Sequence, residues 1–121
     1  MNGTILIVDD SVSIRQLMTF TLRDAGYSVV EAANGPDALS KAASGDIDMV
    51  ITDLHMPDMD GIELITRMKT FPQFRYKPFL MLTTESQETK KQEGREAGAC
   101  GWIVKPFAPE QLVKVVQKFI K

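Results

Sequence analysis

The chain has 121 residues, 44% of them hydrophobic and 25% charged, with a formal net charge of −2. That length and balance suit one globular domain, residues 1–121, which buries its own core without disulfide or metal staples, and they exclude disordered and fibrous classes. The small negative charge offers no field for a phosphate backbone, so no direct nucleic-acid binding is expected; no apolar run approaches the roughly 20 residues of a membrane span and the start lacks a basic region, so a cytoplasmic chain without membrane insertion is expected.

Residues 5–8 form an apolar run too short for a helix and without alternation, which reads as a strand buried on both faces. Ser11 then caps a helix in which Ile14, Leu17, Met18, Thr21, Leu22 and Ala25 recur at helical spacing, with Gly26 as its stop. Residues 28–32 read as a more exposed strand, and residues 36–44 as an alanine-rich helix stopped by Gly45. A second doubly buried strand covers 49–51 and a third helix 61–69. Residues 70–77 set Phe71, Phe74 and Tyr76 among polar residues and Pro72, the pattern of a connection with aromatic anchors.

Residues 79–82 and 102–104 are two further buried strands. Between them, residues 87–98 are dominated by Gln, Glu, Lys and Arg, with little more than Ala97 as an apolar anchor and an internal Gly94, so a helix there is weakly held. The single cysteine, Cys100, is expected to be an inert thiol in the core. Pro109 suits the first turn of a last helix whose stripe is Leu112, Val115, Val116, Phe119 and Ile120.

Strand and helix thus alternate five times, which predicts an α/β fold with a parallel sheet, because parallel strands need helical crossovers that cover both faces. Ligands of such sheets bind outside the carboxyl ends of the strands. Asp9 and Asp10 follow the first strand, Asp53 ends the third, Thr83 ends the fourth and Lys105 follows the fifth, so distant parts of the sequence converge on that edge.

Three carboxylates brought together repel, and one of them takes up a proton unless a cation compensates. All-oxygen ligands without paired His or Cys favour Mg²⁺, with Mn²⁺ as a substitute, over Zn²⁺; Mg²⁺ commonly combines one or two carboxylates with waters and a phosphate. A carboxylate can be a nucleophile that forms an aspartyl-phosphate, with Lys105 and the metal offsetting charge on the transferring oxygens and the Thr83 hydroxyl binding another of them. Singly these residues say little, since an Asp-Asp pair after a strand is most often a turn. The weight lies in the combination.

The segments ILIVDDS, VITDLHMPDMDG, LTTES and GWIVKPF resemble the successive signatures of response-regulator receiver domains, over essentially the whole chain. The resemblance implies a flavodoxin-like (CheY-like), doubly wound (βα)5 fold with a five-stranded parallel sheet in the order 2-1-3-4-5. It implies Asp9 and Asp10 as the acidic metal-binding pair, Asp53 as phosphoacceptor and metal ligand, Thr83 as switch hydroxyl and Lys105 as the charge-compensating lysine. It further implies the backbone carbonyl of His55 as a metal ligand and a cis peptide before Pro106. Trp102 takes the place of an aromatic residue that swings inward as Thr83 moves, although Tyr or Phe is more usual there. His55 and Glu85 fall at positions that flank the attacking water and tune phosphate lifetime.

The function so implied is that of a stand-alone response regulator of two-component signalling, a phosphoprotein charged by a histidine kinase. Transfer and autodephosphorylation are self-catalysed, so the chain is a switch rather than a turnover enzyme. TTES with GWIVKPF resemble the chemotaxis branch in particular. That implies a chemotaxis kinase upstream, a flagellar motor switch protein bound by the helix 4, strand 5 and helix 5 face, a phosphatase as an optional partner, and a monomer.

Other readings share parts of this pattern. A flavodoxin-like electron carrier has the same element order, but its first loop is ordinarily rich in Ser, Thr and Gly, whereas VDDS places two carboxylates there. A phosphatase with an aspartyl nucleophile ordinarily adds a second acid and a substrate-enclosing cap. A phosphorelay intermediate, or a receiver excised from a larger regulator, has the same site.

Overall fold

The computed structural model describes residues 3–43, 45–84 and 88–120. The strands are β1 (Thr4–Val8), β2 (Ser28–Ala32), β3 (Met49–Asp53), β4 (Phe79–Thr83) and β5 (Gly101–Val104). All pair in parallel in one sheet, in the order β2-β1-β3-β4-β5, as expected. β3 and β4 are buried along their whole length, while the edge strands β2 and β5 are partly exposed. A strand covered on both faces has no solvated side, which is why the central runs show no polar alternation.

The helices are α1 (Val12–Asp24), α2 (Gly35–Ala42), α3 (Gly61–Met68), α4 (Glu88–Ala97) and α5 (Pro109–Phe119). Each of the first three begins where a side chain takes up a free amide. Ser11 Oγ accepts from the Ile14 N–H at 3.4 Å, Asn34 Oδ1 from Asp37 at 2.8 Å and Asp60 Oδ1 from Glu63 at 2.8 Å. Such a cap contributes about 1 kcal/mol. The Asn34 cap also places the start of α2 at Gly35, one residue before the proline expected to open it.

Successive residues of a strand point to opposite faces, and two cores follow. Leu6, Val50, Phe79 and Met81 pack with Ala38 and Ala42 of α2 and Leu64, Ile65 and Met68 of α3. Ile5, Ile7, Ile51 and Leu82 pack on the other face with Met18 and Leu22 of α1 and Leu112 and Val116 of α5. The connection before β4 holds a 3-10 turn, Pro72–Phe74, and is anchored by Phe74, which meets Phe79 edge-on with centroids 6.4 Å apart, whereas Tyr76, also expected as an anchor, is exposed. Lys69 Nζ adds bonds to the Arg75 and Lys77 carbonyls at 3.1 and 2.9 Å and lies 4.8 Å from the Phe79 ring centre.

Cys100 corrects its expectation. The residue is exposed, because the chain turns its neighbour Ala99 inward before β5 begins. The thiol still donates to the Phe79 carbonyl at 3.4 Å, and partial burial pushes its pKa up. α4 forms as a polar helix and is taken up below.

The outer side of β2 is linked to α2. Asp37 Oδ2 accepts from the Ala33 N–H at 3.1 Å and pairs with Lys41 at 3.2 Å, while Lys41 Nζ donates to the Glu31 carbonyl at 2.6 Å. The Ala33 N–H, and next the Lys41 side chain, hold the Asp37 carboxyl below its usual value. A lowered carboxyl binds protons less readily in the folded than in the unfolded chain. Its small stabilising contribution is therefore present above the unfolded pKa, about 3.9, and is lost as pH falls through the lower folded value. A carbon-detected carboxyl titration is expected to place Asp37 below an ordinary aspartate, and Asp37→Asn to shrink the loss of Tm on acidification; an ordinary titration would refute the linkage.

Candidate functional site

The strand order reverses between β1 and β3, and the crevice there is where such sheets bind ligands. Register brings the expected residues to it. Val8, the last residue of β1, is level with Thr52, so Asp9 and Asp53 emerge side by side; Asp53 is level with Leu82, one residue before Thr83, and Thr83 with Val104, one before Lys105. Oxygens of Asp9, Asp10 and Asp53 lie within 4.8 Å of one another. Lys105 Nζ sits 3.2 Å from Asp53 Oδ2 and 3.3 Å from Asp9 Oδ2. Five residues from four strand ends thus form one cluster or its border.

Their environments differ. Asp9 and Thr83 are fully buried and Asp53 is 6% exposed, while Asp10 faces solvent. Asp9 is locked in place: its Oδ1 accepts the Ser11 N–H at 2.8 Å, and its backbone carbonyl accepts from Arg15 Nη1 at 2.8 Å. Arg15 in turn pairs with Glu31 at 3.2 Å. Sequence reasoning missed Arg15. Its one signal was a cation in the first turns of a helix, where the macrodipole disfavours positive charge.

Burial, and next the Asp9 carboxylate, push the Asp53 carboxyl above its usual value, against the pull of Lys105. Among the described residues, three carboxylates against one ammonium leave two uncompensated negative charges. The donor chemistry therefore fits a hard divalent cation: oxygen ligands only, crowded, with a charge deficit of the matching size. Asp9, Asp10 and Asp53 are the side chains that would hold Mg²⁺.

The loop after β3 folds back closely. Leu54 N–H bonds the Leu82 carbonyl at 2.9 Å, and the Leu54 carbonyl accepts from Gly61 N–H at 2.9 Å. A Cβ on Gly61 would collide with the Asp53 carbonyl and stand 2.8 Å from Met81 Sδ, so α3 can start this near the site only on a glycine. His55 is exposed in that loop. Lys105–Pro106 is a cis peptide, as expected. Trp102 lies in β5, level with Met81 and partly buried, away from the carboxylates. Glu85 falls outside the described residues.

The response regulator receiver domain model matches residues 5–117. The chain belongs to the receiver domain family. Its relatives include the chemotaxis protein CheY4 of Vibrio cholerae, 48% identical in a structure that superposes with a TM-score of 0.96 over 98% of this chain and 99% of that one. A putative response regulator from Chloroflexus aurantiacus is 37% identical, with a TM-score of 0.92 and 98% of each chain covered. The transcriptional regulatory protein SrrA of Staphylococcus aureus is 37% identical over all of this chain and 49% of its own. The chain thus spans about half the length of the curated relatives it matches. It is a CheY-like receiver of a two-component response regulator.

The receiver's acid cluster makes a direct prediction. A carboxyl whose pKa is raised on folding stabilises the fold only as pH falls through that raised value; ionised at neutral pH, it costs stability. Asp53→Asn is therefore expected to raise the Tm of the metal-free receiver at pH 7, and Mg²⁺ to raise the Tm of the parent more than that of the variant. Equal Mg²⁺ responses in calorimetry would show that Asp53 is not part of the cation site.

Proposed function

We propose that this receiver is a phosphorylation-activated switch in which Asp53 accepts a phosphoryl group from a phosphohistidine on a histidine kinase. The observation that carries the reading is the meeting of Asp53 with Asp9, Asp10 and Lys105 at the carboxyl edge of the sheet. An Asp53 oxygen attacks phosphorus in line. The P–O bond forms as the P–N bond breaks, and the electron pair returns to the imidazole nitrogen of the donor. Lys105, already beside Asp53 Oδ2, holds the acceptor and offsets charge on the transferring oxygens. The Thr83 hydroxyl, at the end of the neighbouring strand, binds a second such oxygen. Bound Mg²⁺ supplies further charge compensation at the phosphoryl group.

Hydrolysis reverses the state: water attacks phosphorus, the bond to Asp53 breaks, and phosphate leaves with the carboxylate restored. The chain acts on itself and is a signalling switch, not a turnover enzyme. The exposed His55, whose backbone carbonyl would be a further ligand of the metal, and Glu85 would set how fast that water attacks.

The output face is formed by α4, β5 and α5, and the likeness to CheY4 supports a chemotaxis role, with a chemotaxis kinase upstream and the flagellar motor switch as target. A phosphatase would shorten the signal. Among the described residues no helix is long and apolar enough to cross a membrane; a cytoplasmic monomer is part of the proposal. A second reading has its own support: SrrA is about twice as long as this chain and is a transcriptional regulator, so the receiver also suits a larger regulator or a phosphorelay.

Intact-mass analysis after acetyl phosphate or a phosphodonor kinase tests the chemistry. One phosphoryl adduct is expected, dependent on Mg²⁺ and absent from Asp53→Asn; no adduct with any competent donor would make the receiver an inert scaffold. In the same assay His55→Ala is expected to change adduct lifetime, and an unchanged decay would reduce His55 to a loop residue.

A further inference from the structure

α4 is polar almost throughout, with the sequence ETKKQEGREA, and within residues 90–97 only Gly94 is buried. The space its missing side chain leaves is taken by the Trp102 indole. A Cβ on Gly94 would lie 2.7 Å from Trp102 Cζ2 and 3.1 Å from Cη2, well inside ordinary carbon contact of about 3.5–4.0 Å. Both atoms belong to a rigid ring system. Relief would need rotation of the whole indole or a shift of α4.

The indole also packs on the core shared with α2 and α3. Among the described residues its buried Nε1–H has no acceptor, although a buried indole N–H ordinarily finds one. Packing, not hydrogen bonding, keeps the ring where it is. A glycine in a helix interior is costly relative to alanine, and its presence here is explained by the ring it admits.

We infer that Gly94 is the positioning residue for Trp102: its bare Cα is the seat of the indole, and this glycine–tryptophan pair docks α4 onto β5. A tryptophan at this place in β5 requires such a seat, and α4 in turn has no apolar side chain of its own that could replace the contact within residues 90–96. Any displacement of the indole therefore alters the contact that α4 makes with β5. That signalling consequence rests on the phosphorylation switch proposed above; the seat does not.

The test uses unphosphorylated, metal-free receiver, whose single tryptophan reports the seat. Helix propensity alone predicts that Gly94→Ala raises Tm by a few degrees. The seat predicts the opposite: a fall of about 4 °C or more, with increased acrylamide quenching of Trp102. In a Trp102→Phe background, which lacks the ring carbons that touch Gly94, Gly94→Ala should raise Tm again. That double variant also covers the case in which Gly94→Ala alone does not fold. Unchanged quenching with a raised Tm in both backgrounds would overturn the inference, as would a fall in both, which would mean that the glycine serves another neighbour. Failure of Asp53 to accept phosphate in the parent protein would remove the switch and leave the seat standing.

Discussion

Crowded negative charge at the carboxyl edge of the sheet is the constraint on which the rest of this structure depends. Asp9 and Asp53 are drawn out of water on adjacent strands, with Asp10 facing them from solvent and a single ammonium, Lys105, between the two buried ones. Such a cluster holds its shape only if its scaffold does not yield. Two apolar cores, one on each face, supply that rigidity: a fully buried Leu or Ile contributes on the order of 1.5–3 kcal/mol, and the strands and helices provide many. The positive charge that is still lacking is what a divalent cation would supply.

Positioning of the site is distributed over loops rather than stored in one motif. Ser11 and Arg15 fix Asp9 from the start of α1, Asp60 caps α3, and Gly61 lets α3 approach the Asp53 carbonyl. Loops held on both sides by buried strands can place side chains to within hydrogen-bond tolerance while remaining open to solvent. In the proposed switch this openness matters, because both the phosphodonor and the hydrolytic water must reach Asp53.

In the proposed switch the route from the site to the output face is short. Thr83 ends β4, which pairs with β5, and β5 carries Trp102 against Gly94 of α4. α4 is the element with the least apolar attachment, so it is the one that a small change can move. In the proposed switch, this helix, held by the Trp102 ring and by Ala97, is the element that changes the surface. Fold alone would not argue this, since flavodoxin-like sheets serve many functions; the argument comes from the residues at the strand ends.

Buried runs and amphipathic stripes, legible in the sequence by itself, marked the central strands and the helices α1 and α5, although the polar α4 carried no such stripe; the fivefold alternation gave the class of sheet, because burial on both faces leaves its mark in composition. The same holds for Asp9, Asp10, Asp53, Thr83 and Lys105, since a parallel sheet delivers every strand end to one edge. Tertiary structure alone decided what depends on distances between residues remote in the chain. Arg15 reaches the Asp9 carbonyl, Cys100 stays at the surface because Ala99 turns inward, and the glycine in α4 proves to be a packing contact with β5. None of these has a periodic signature; each is a matter of which atom fills which space.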